Sequence, residues 1–196
     1  MSVKDEILMA LAFIDELISY GCKVVMLPGN HEARFRKAVI GAKGPVLAGL
    51  GNLSLEASYR HLGLPDEVQW ISEKPGTPGL WFEEARLLIR HGDKQAKGFG
   101  CANVAVKGLR ENPGINLVVG HHHRAQLQCQ TVMGRTFFSV ANPHLSGEHA
   151  YASSPDWQRG FSYYEFSPDR RIVTPHLVIM QPDGYFIDGG REYGSQ

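Results

Sequence analysis

Three short apolar runs in this chain are each followed, within four residues, by both a glycine and a histidine. Runs of about four to eight residues, rich in Val, Ile and Leu and bounded by glycine, predict buried strands of a parallel sheet. In open α/β sheets, the polar residues that follow such strands collect at the carboxyl edge. We therefore expect the three runs to bring their polar neighbours together. The runs are 23–27, followed by Gly29-Asn30-His31-Glu32; 86–90, followed by His91-Gly92-Asp93; and 115–119, followed by Gly120-His121-His122-His123.

Helical patterns accompany these runs early in the chain, and hairpin patterns come later. Residues 4–20 carry an apolar stripe that predicts a helix ending at Gly21, and further helices are predicted over 32–41, within 45–63 and at about 100–111. Residues 80–90 predict a strand pair or one bent strand. Two hairpins are predicted to turn at 133–135 and 167–169. This order indicates an α/β fold with packed sheets rather than a purely doubly wound sheet. The stripe consists of Ile7, Leu8, Leu11, Ile14, Leu17 and Ile18.

The composition is that of an ordinary globular protein, with 43% apolar and 20% charged residues. A chain of 196 residues suits one domain, and no linker or repeat divides it, so we expect a single domain over 1–196. No apolar run is long enough to cross a membrane, and the first six residues are acidic where a secretory signal is basic. We therefore expect a cytoplasmic protein without a membrane partner.

Charge and cysteine content exclude two other classes. Twenty basic and twenty acidic residues give zero net charge, which argues against a strongly basic footprint for duplex nucleic acid and leaves a local patch open. Cys22, Cys101 and Cys129 are odd in number and scattered, so they predict buried thiols rather than a disulfide framework or a zinc knuckle.

The donor types at the strand ends suit a metal site. Neutral imidazole and amide oxygen are ligands for divalent Zn, Mn, Fe or Ni. In an extended segment alternate residues share a direction, so His121 and His123 are expected to face one site while His122 faces away. A bound metal can activate water toward a phosphoryl group, and the imidazolium of His31 could protonate the leaving oxygen.

On these motifs the chain resembles the calcineurin-like metallophosphoesterases of bacterial and phage type. "GNHE" at 29–32, "HG" at 91–92 and "GHHH" at 120–123 are similar to that family's third, fourth and fifth motifs, in the same order and strand contexts. The closing "DWQRGFSYYEF" is similar to the family's late sheet. The resemblance implies two packed mixed β-sheets flanked by helices, and a dinuclear metal site. It implies that Asn30, His91 and His121 bind one metal, that His123 binds the other, and that His31 lies beside the phosphate.

The chain departs from the family at its first two motifs. D-x-H and G-D-x-x-D should precede "GNHE", and nothing here supplies them. They bring the carboxylate that bridges the two metals, and without it two dications would repel each other strongly. We therefore expect at most one metal, weak hydrolysis and a domain missing its N-terminal strands. A homodimer or a complementing N-terminal segment would cover the exposed sheet edge.

Several residues have alternative interpretations. Arg34 could bind phosphate or belong to a solvated helix face. His61 and His176 are expected to be structural, and His122 a bystander. His144 and His149, in the long loop 141–158, are left open as further residues of the site. Trp157 and Phe161 are expected to be core residues.

Two functional classes follow. The first is a metal-dependent phosphoesterase that hydrolyses phosphodiesters, either a nucleic acid or a nucleotide, by attack of a metal-activated hydroxide. The second is a catalytically impaired phosphoesterase-like module that binds a partner or ligand.

Overall fold

The computed structural model describes residues 3–27, 29, 54–71, 79–92, 103–146 and 156–194. The described residues form a mixed α/β structure with three helices and four small sheets, which confirms the α/β class. The chain divides into two compact units, Met1–Thr77 and Pro78–Gln196. The helix predicted over 32–41 lies outside the described residues, and the prediction of a single domain stays a prediction.

The first unit contains helix α1 (Val3–Ser19), strand β1 (Val25–Met26), helix α2 (Leu55–His61) and strand β2 (Gln69–Trp70). The two strands pair in parallel, with Val25 opposite Gln69. Strand β1 confirms the predicted strand over 23–27 in a shorter form, and α2 confirms the helix within 45–63. The pairing with β2 was not predicted, because a two-residue strand carries too little pattern to be recognised.

Helix α1 confirms the predicted helix over 4–20, although its apolar stripe is narrower than expected. Ile7, Leu11 and Ile14 are buried, and they pack with residues that lie beyond α2. The inclusion of Leu8 was wrong, since its side chain is 43% exposed. Successive helical residues are about 100° apart, so Leu8 turns away from the face that Ile7 buries.

Gly21 ends α1 as predicted. Its φ is +78°, a left-handed value that glycine adopts without a steric penalty. The Gly21 amide donates to the Ile18 carbonyl at 2.8 Å, and the Cys22 amide donates to the Leu17 carbonyl at 3.1 Å. These are the two hydrogen bonds of a Schellman motif, which satisfies the last carbonyls of the helix.

A five-stranded mixed sheet forms the centre of the second unit. Its strands are β3 (Leu80–Phe82), β4 (Leu87–Arg90), β5 (Asn116–Val119), β6 (Gln126–Val132) and β7 (Arg135–Ala141), and helix α3 (Val104–Glu111) lies between β4 and β5 in sequence. The spatial order is β3-β4-β5-β7-β6. Strands β4, β5 and β7 run parallel, while β3 and β6 are antiparallel at the edges. The strand pair over 80–90 and the hairpin turning at 133–135 are thus confirmed.

The sheet is covered on both faces, which explains its continuous apolar strands. Leu117 and Val119 pack with Val104 of α3 on one face. Val118, one residue out of phase with both, packs on the other face against Leu177 of a second hairpin. That hairpin consists of β8 (Arg159–Phe166) and β9 (Val173–Met180), and it confirms the prediction of a turn at 167–169.

A buried asparagine holds the central strand in register. The Asn116 side chain donates to the Ala85 carbonyl at 2.9 Å and accepts from the Phe138 amide at 3.0 Å. The Asn116 side chain therefore hydrogen-bonds the Ala85 carbonyl beside β4 and the Phe138 amide on β7 at the same time. A buried polar group without a hydrogen-bond partner costs about 1–3 kcal/mol of stability.

A short hairpin near the end of the described chain was not predicted. Strands β10 (Phe186–Asp188) and β11 (Arg191–Tyr193) are antiparallel, joined by Gly189 and Gly190, whose φ angles are +54° and +77°. Two left-handed residues define a type I′ turn. The Gly-Gly pair between short β-forming segments was therefore a recognisable signal.

Two expectations drawn from the composition concern the cysteines and membrane-spanning segments. The prediction of buried thiols was wrong for Cys22 and Cys129, which are both exposed, while Cys101 lies outside the described residues. None of the helices in the described ranges combines the length and the apolar character needed to cross a membrane.

The raised pKa of Tyr164 predicts that the protein loses stability in alkaline solution. Tyr164 lies on β8, and its burial against the five-stranded sheet raises the pKa of its phenol to about 12 from 10.0, against a smaller lowering by its hydrogen bond to Ser162. A raised pKa gives stability that is complete below about pH 10 and is lost as the pH rises toward about 12. We expect wild type to lose about 1 kcal/mol relative to Tyr164→Phe between about pH 9 and pH 11, measured by urea unfolding. Equal alkaline losses in the two proteins would contradict this, and Tyr20→Phe, at an exposed site, should behave as wild type.

Candidate metal centre

The carboxyl ends of β4 and β5 bring two histidines together. These strands are parallel neighbours with Arg90 opposite Val119, so the residues that follow them leave the sheet at the same edge. His91 Nε2 lies 3.0 Å from His121 Nδ1, and the two rings meet edge to face at 4.9 Å. The sequence expectation that these two strand ends share a site agrees with this geometry.

The distance between these two nitrogens fits ligands of one metal ion. Imidazole nitrogens lie about 2.0–2.1 Å from zinc, so two of them are about 2.9 Å apart at a 90° angle and about 3.3 Å apart at the tetrahedral angle. The observed 3.0 Å falls within that interval. The same distance also suits a direct hydrogen bond between two neutral imidazoles, in which one ring donates and the other accepts. The arrangement can thus hold a proton or a metal between the rings.

Gly92 allows the chain to turn beside the site. Its φ is +89°, and a Cβ atom there would lie 2.7 Å from Val119 Cβ. The end of β4 therefore approaches the end of β5 more closely than any side chain at position 92 would permit.

The histidine run is not extended, so the prediction that His121 and His123 share a direction by alternation was wrong. The φ angles of His121 and His123 are +69° and +56°, both left-handed. The His122 amide donates to the Gly120 carbonyl at 2.8 Å, which closes a γ-turn around His121. This turn directs His121 toward His91 and buries His122, whose ring meets His121 at 4.9 Å.

His123 belongs to a second ring cluster. Its ring lies 4.8 Å from His144 and 4.8 Å from Trp157. Backbone bonds fix this arrangement, because the His144 amide donates to the Gln158 carbonyl at 3.1 Å and the Gln158 amide donates to the His123 carbonyl at 2.9 Å. His144, left open by the sequence, is therefore a neighbour of His123. Trp157 was expected to be a core residue, and its contact with these two imidazoles was not predicted.

The described part of the chain does not assemble a complete ligand set. Among the residues in the ranges given above, no group of three or more His, Cys, Asp or Glu side chains is arranged to hold a metal. An ion pair between Arg124 and Asp156 joins the histidine segment to the chain beside Trp157, so this nearby carboxylate is engaged by a guanidinium. A metal at His91 and His121 needs at least one further donor.

The remaining sequence-predicted residues fall into two groups. Asn30, His31, Arg34 and His149 lie outside the described residues. Of the two histidines expected to be structural, His61 is exposed on α2, and His176 on β9 stacks on Tyr163 at 4.4 Å and contacts Glu165 at 2.9 Å. Phe161 makes an edge-to-face contact with Phe186, as expected of a packing residue.

In comparisons with protein-family models, curated proteins and solved structures, nothing was found that matches this chain.

Proposed function

We propose that this chain is a metal-dependent phosphoesterase of the calcineurin-like type. The observation that carries the proposal is the pair His91 Nε2 and His121 Nδ1, 3.0 Å apart at the ends of parallel strands. These are the two imidazoles that the "HG" and "GHHH" motifs would supply as ligands of one ion. The β8–β9 hairpin packed on the mixed sheet supports the finer proposal of a two-sheet sandwich.

Each candidate residue has a distinct role in this proposal. Asn30, His91 and His121 hold one divalent ion, and His123 is the donor that the resemblance assigns to a second. When bound, a divalent ion polarises the phosphoryl oxygens and lowers the pKa of a coordinated water. His31, as an imidazolium, donates its proton to the leaving oxygen, and the guanidinium of Arg34 binds a phosphoryl oxygen.

The substrate in this proposal is a phosphodiester, of a nucleotide or a nucleic acid. Because the chain has zero net charge, it gains no general attraction to a phosphate backbone. Selectivity would then depend on contacts close to the metal. The ion is Mn, Zn, Fe or Ni, since imidazole and amide donors suit these metals.

A sequence observation favours a second candidate function. The residues ahead of Gly29 contain neither D-x-H nor G-D-x-x-D, so these 196 residues lack the bridging carboxylate of the resembling family. A site of neutral donors would then bind one ion and a phosphorylated ligand without efficient turnover. A protein that worked with these donors alone would be a catalytically impaired phosphoesterase-like binding module.

Hydrolysis of an aryl phosphodiester with added manganese tests the proposal. We expect slow turnover by wild type that is lost in His91→Ala and falls by about 100-fold in His31→Ala, because a general acid contributes about 10²–10⁴-fold. His61→Ala removes an exposed histidine from α2 and should retain full activity.

The same assay, combined with metal analysis of the protein, separates the two candidate functions. Turnover that depends on both manganese and His91 supports the phosphoesterase. Stoichiometric metal uptake without turnover supports the binding module. If turnover is equal in wild type, His91→Ala and His31→Ala, the activity belongs to a contaminant and the phosphoesterase proposal fails.

A further inference from the structure

A cavity of about 360 Å³ opens at the opposite edge of the five-stranded sheet from His91 and His121. Strands β4, β5 and β7 are parallel, so their first residues share this amino-terminal edge. Arg86 comes directly before β4, Gly114 lies just before β5, and Arg135 begins β7, and all three line the cavity. The cavity is therefore separate from the candidate metal centre.

Two guanidinium groups converge in this cavity on one buried ring. The Cζ atoms of Arg86 and Arg135 lie 5.7 and 5.5 Å from the centroid of Phe137. Phe137 is 3% exposed, so its ring is a fixed support beneath both groups. Cation–π contact at such distances restrains arginine side chains that would otherwise sample many rotamers in solvent.

Within the described ranges, the positive charges of these two arginines are not balanced by an ion pair with a carboxylate. Arg135 Nη2 donates to the Arg171 carbonyl at 3.1 Å, a neutral acceptor. Glu83, in the same turn as Arg86, accepts a hydrogen bond from the Trp81 indole. Two like charges directed into one cavity repel each other, and a bound anion would relieve that repulsion.

The shape and lining of the cavity restrict the anion. Its volume is near the lower end of the range for small-molecule pockets, about 300–1,000 Å³. Two planar guanidinium forks match the oxygens and charge of a phosphate dianion. The rest of the lining is apolar, from Pro113, Val132 and Met133 together with the Phe137 ring.

We propose that Arg86 and Arg135 form a binding site for a small phosphate monoester, with the phosphate held by the two guanidinium groups and the organic part against the apolar lining. The site does not depend on the proposed phosphoesterase function, because it shares no residue with the histidine centre. It gives the chain a second anion-binding position at the far end of the same parallel strands.

Titration of the full-length chain with phenylphosphonate tests this site. The probe is a dianion with an aromatic body and is not hydrolysed, and a chelator keeps metal ions away from the histidines. We expect saturable binding of one molecule per chain by calorimetry, weakened at least about tenfold by Arg86→Gln and by Arg135→Gln. Arg110→Gln removes the same charge from an exposed position on α3 and should leave the affinity unchanged.

Three further titrations decide which chemistry is recognised. We expect inorganic phosphate and benzoate to bind more weakly than phenylphosphonate, because one lacks the apolar body and the other lacks the second charge. A His91→Ala/His121→Ala double variant should bind phenylphosphonate as wild type does. Both arginine variants should still unfold cooperatively close to the wild-type temperature, since both side chains are exposed and each makes few contacts.

Several results would overturn the assignment. The proposed site would be refuted if both arginine variants bound phenylphosphonate with wild-type affinity, or if wild type showed no saturable binding. Loss of binding in the double histidine variant would place the anion at the metal centre instead. If inorganic phosphate bound as tightly as phenylphosphonate, the site would not recognise the organic part of an ester, and that part of the proposal would fail. If benzoate bound as tightly, the proposed preference for a dianion would fail.

Discussion

Replacing His91 or His121 by alanine is expected to weaken divalent metal binding by more than about 100-fold. Loss of an outer partner of a metal ligand alone costs about 10- to 100-fold, and in our proposal His91 and His121 are direct ligands. The two imidazole nitrogens are 3.0 Å apart, a distance at which one ion would contact both, so the proposal predicts that neither histidine can substitute for the other. Equilibrium dialysis against Zn²⁺ or Mn²⁺, with metal analysis of the protein, measures the change. Wild type should hold at most one ion per chain.

Matched histidine variants separate ligand loss from general damage. His61→Ala and His176→Ala remove imidazoles from α2 and β9, and both should retain wild-type metal affinity. His123→Ala, which removes a ring packed against His144 and Trp157, should also retain the first ion. Metal binding by His91→Ala that equals wild type would show that the ion, if bound, sits elsewhere.

Replacing Gly92 by alanine is expected to destabilise the second unit by about 2–5 kcal/mol. Two penalties add, since an L residue in a left-handed conformation costs about 1–2 kcal/mol and overpacking of a tight contact costs about 1–3 kcal/mol. The φ of Gly92 is +89°, and the new Cβ would lie 2.7 Å from Val119 Cβ. The strand ends must then separate, which moves His91 away from His121. Urea unfolding measures the loss, and metal affinity should fall in the same variant.

A second glycine and a compensating change control for the backbone penalty. Gly134 has a similar φ of +75° and nothing within 4 Å of its would-be Cβ, so Gly134→Ala should lose only the backbone part, about 1–2 kcal/mol. Adding Val119→Ala to Gly92→Ala removes Cγ1, 3.2 Å from the new Cβ, but keeps the 2.7 Å contact with Val119 Cβ, so the double variant should recover only a small part of the lost metal affinity. If Gly92→Ala and Gly134→Ala lost the same free energy of unfolding, the close contact of Gly92 with β5 would not add to the penalty of the substitution.

The strand ends that carry the site were predictable from the sequence. Each apolar run from 86 and from 115 is a buried strand of the parallel sheet, and the alternation of Leu117, Val118 and Val119 between two packed faces explains why neither run alternates with polar residues. Because parallel neighbours end at one edge, topology alone brings the segments that follow β4 and β5 close together.

The local conformation of the histidine segment was not predictable in the same way. Non-glycine residues seldom adopt positive φ, and although histidine does so more often than most, no residue pattern predicts the γ-turn that places His121 in the left-handed region. The contact between His123 and His144 depends on a backbone bridge between His144 and Arg159, residues brought together by the folded second unit. The convergence of Arg86 and Arg135 on Phe137 likewise joins two segments that are far apart in sequence, the residue before β4 and the start of β7.

Anomalous diffraction from crystals of this chain grown with saturating Zn²⁺ or Mn²⁺ tests the central claim most directly. The account predicts one metal peak at about 2.0–2.3 Å from both His91 Nε2 and His121 Nδ1. A direct hydrogen bond between these two nitrogens, with no metal peak beside them at saturating metal, would contradict it.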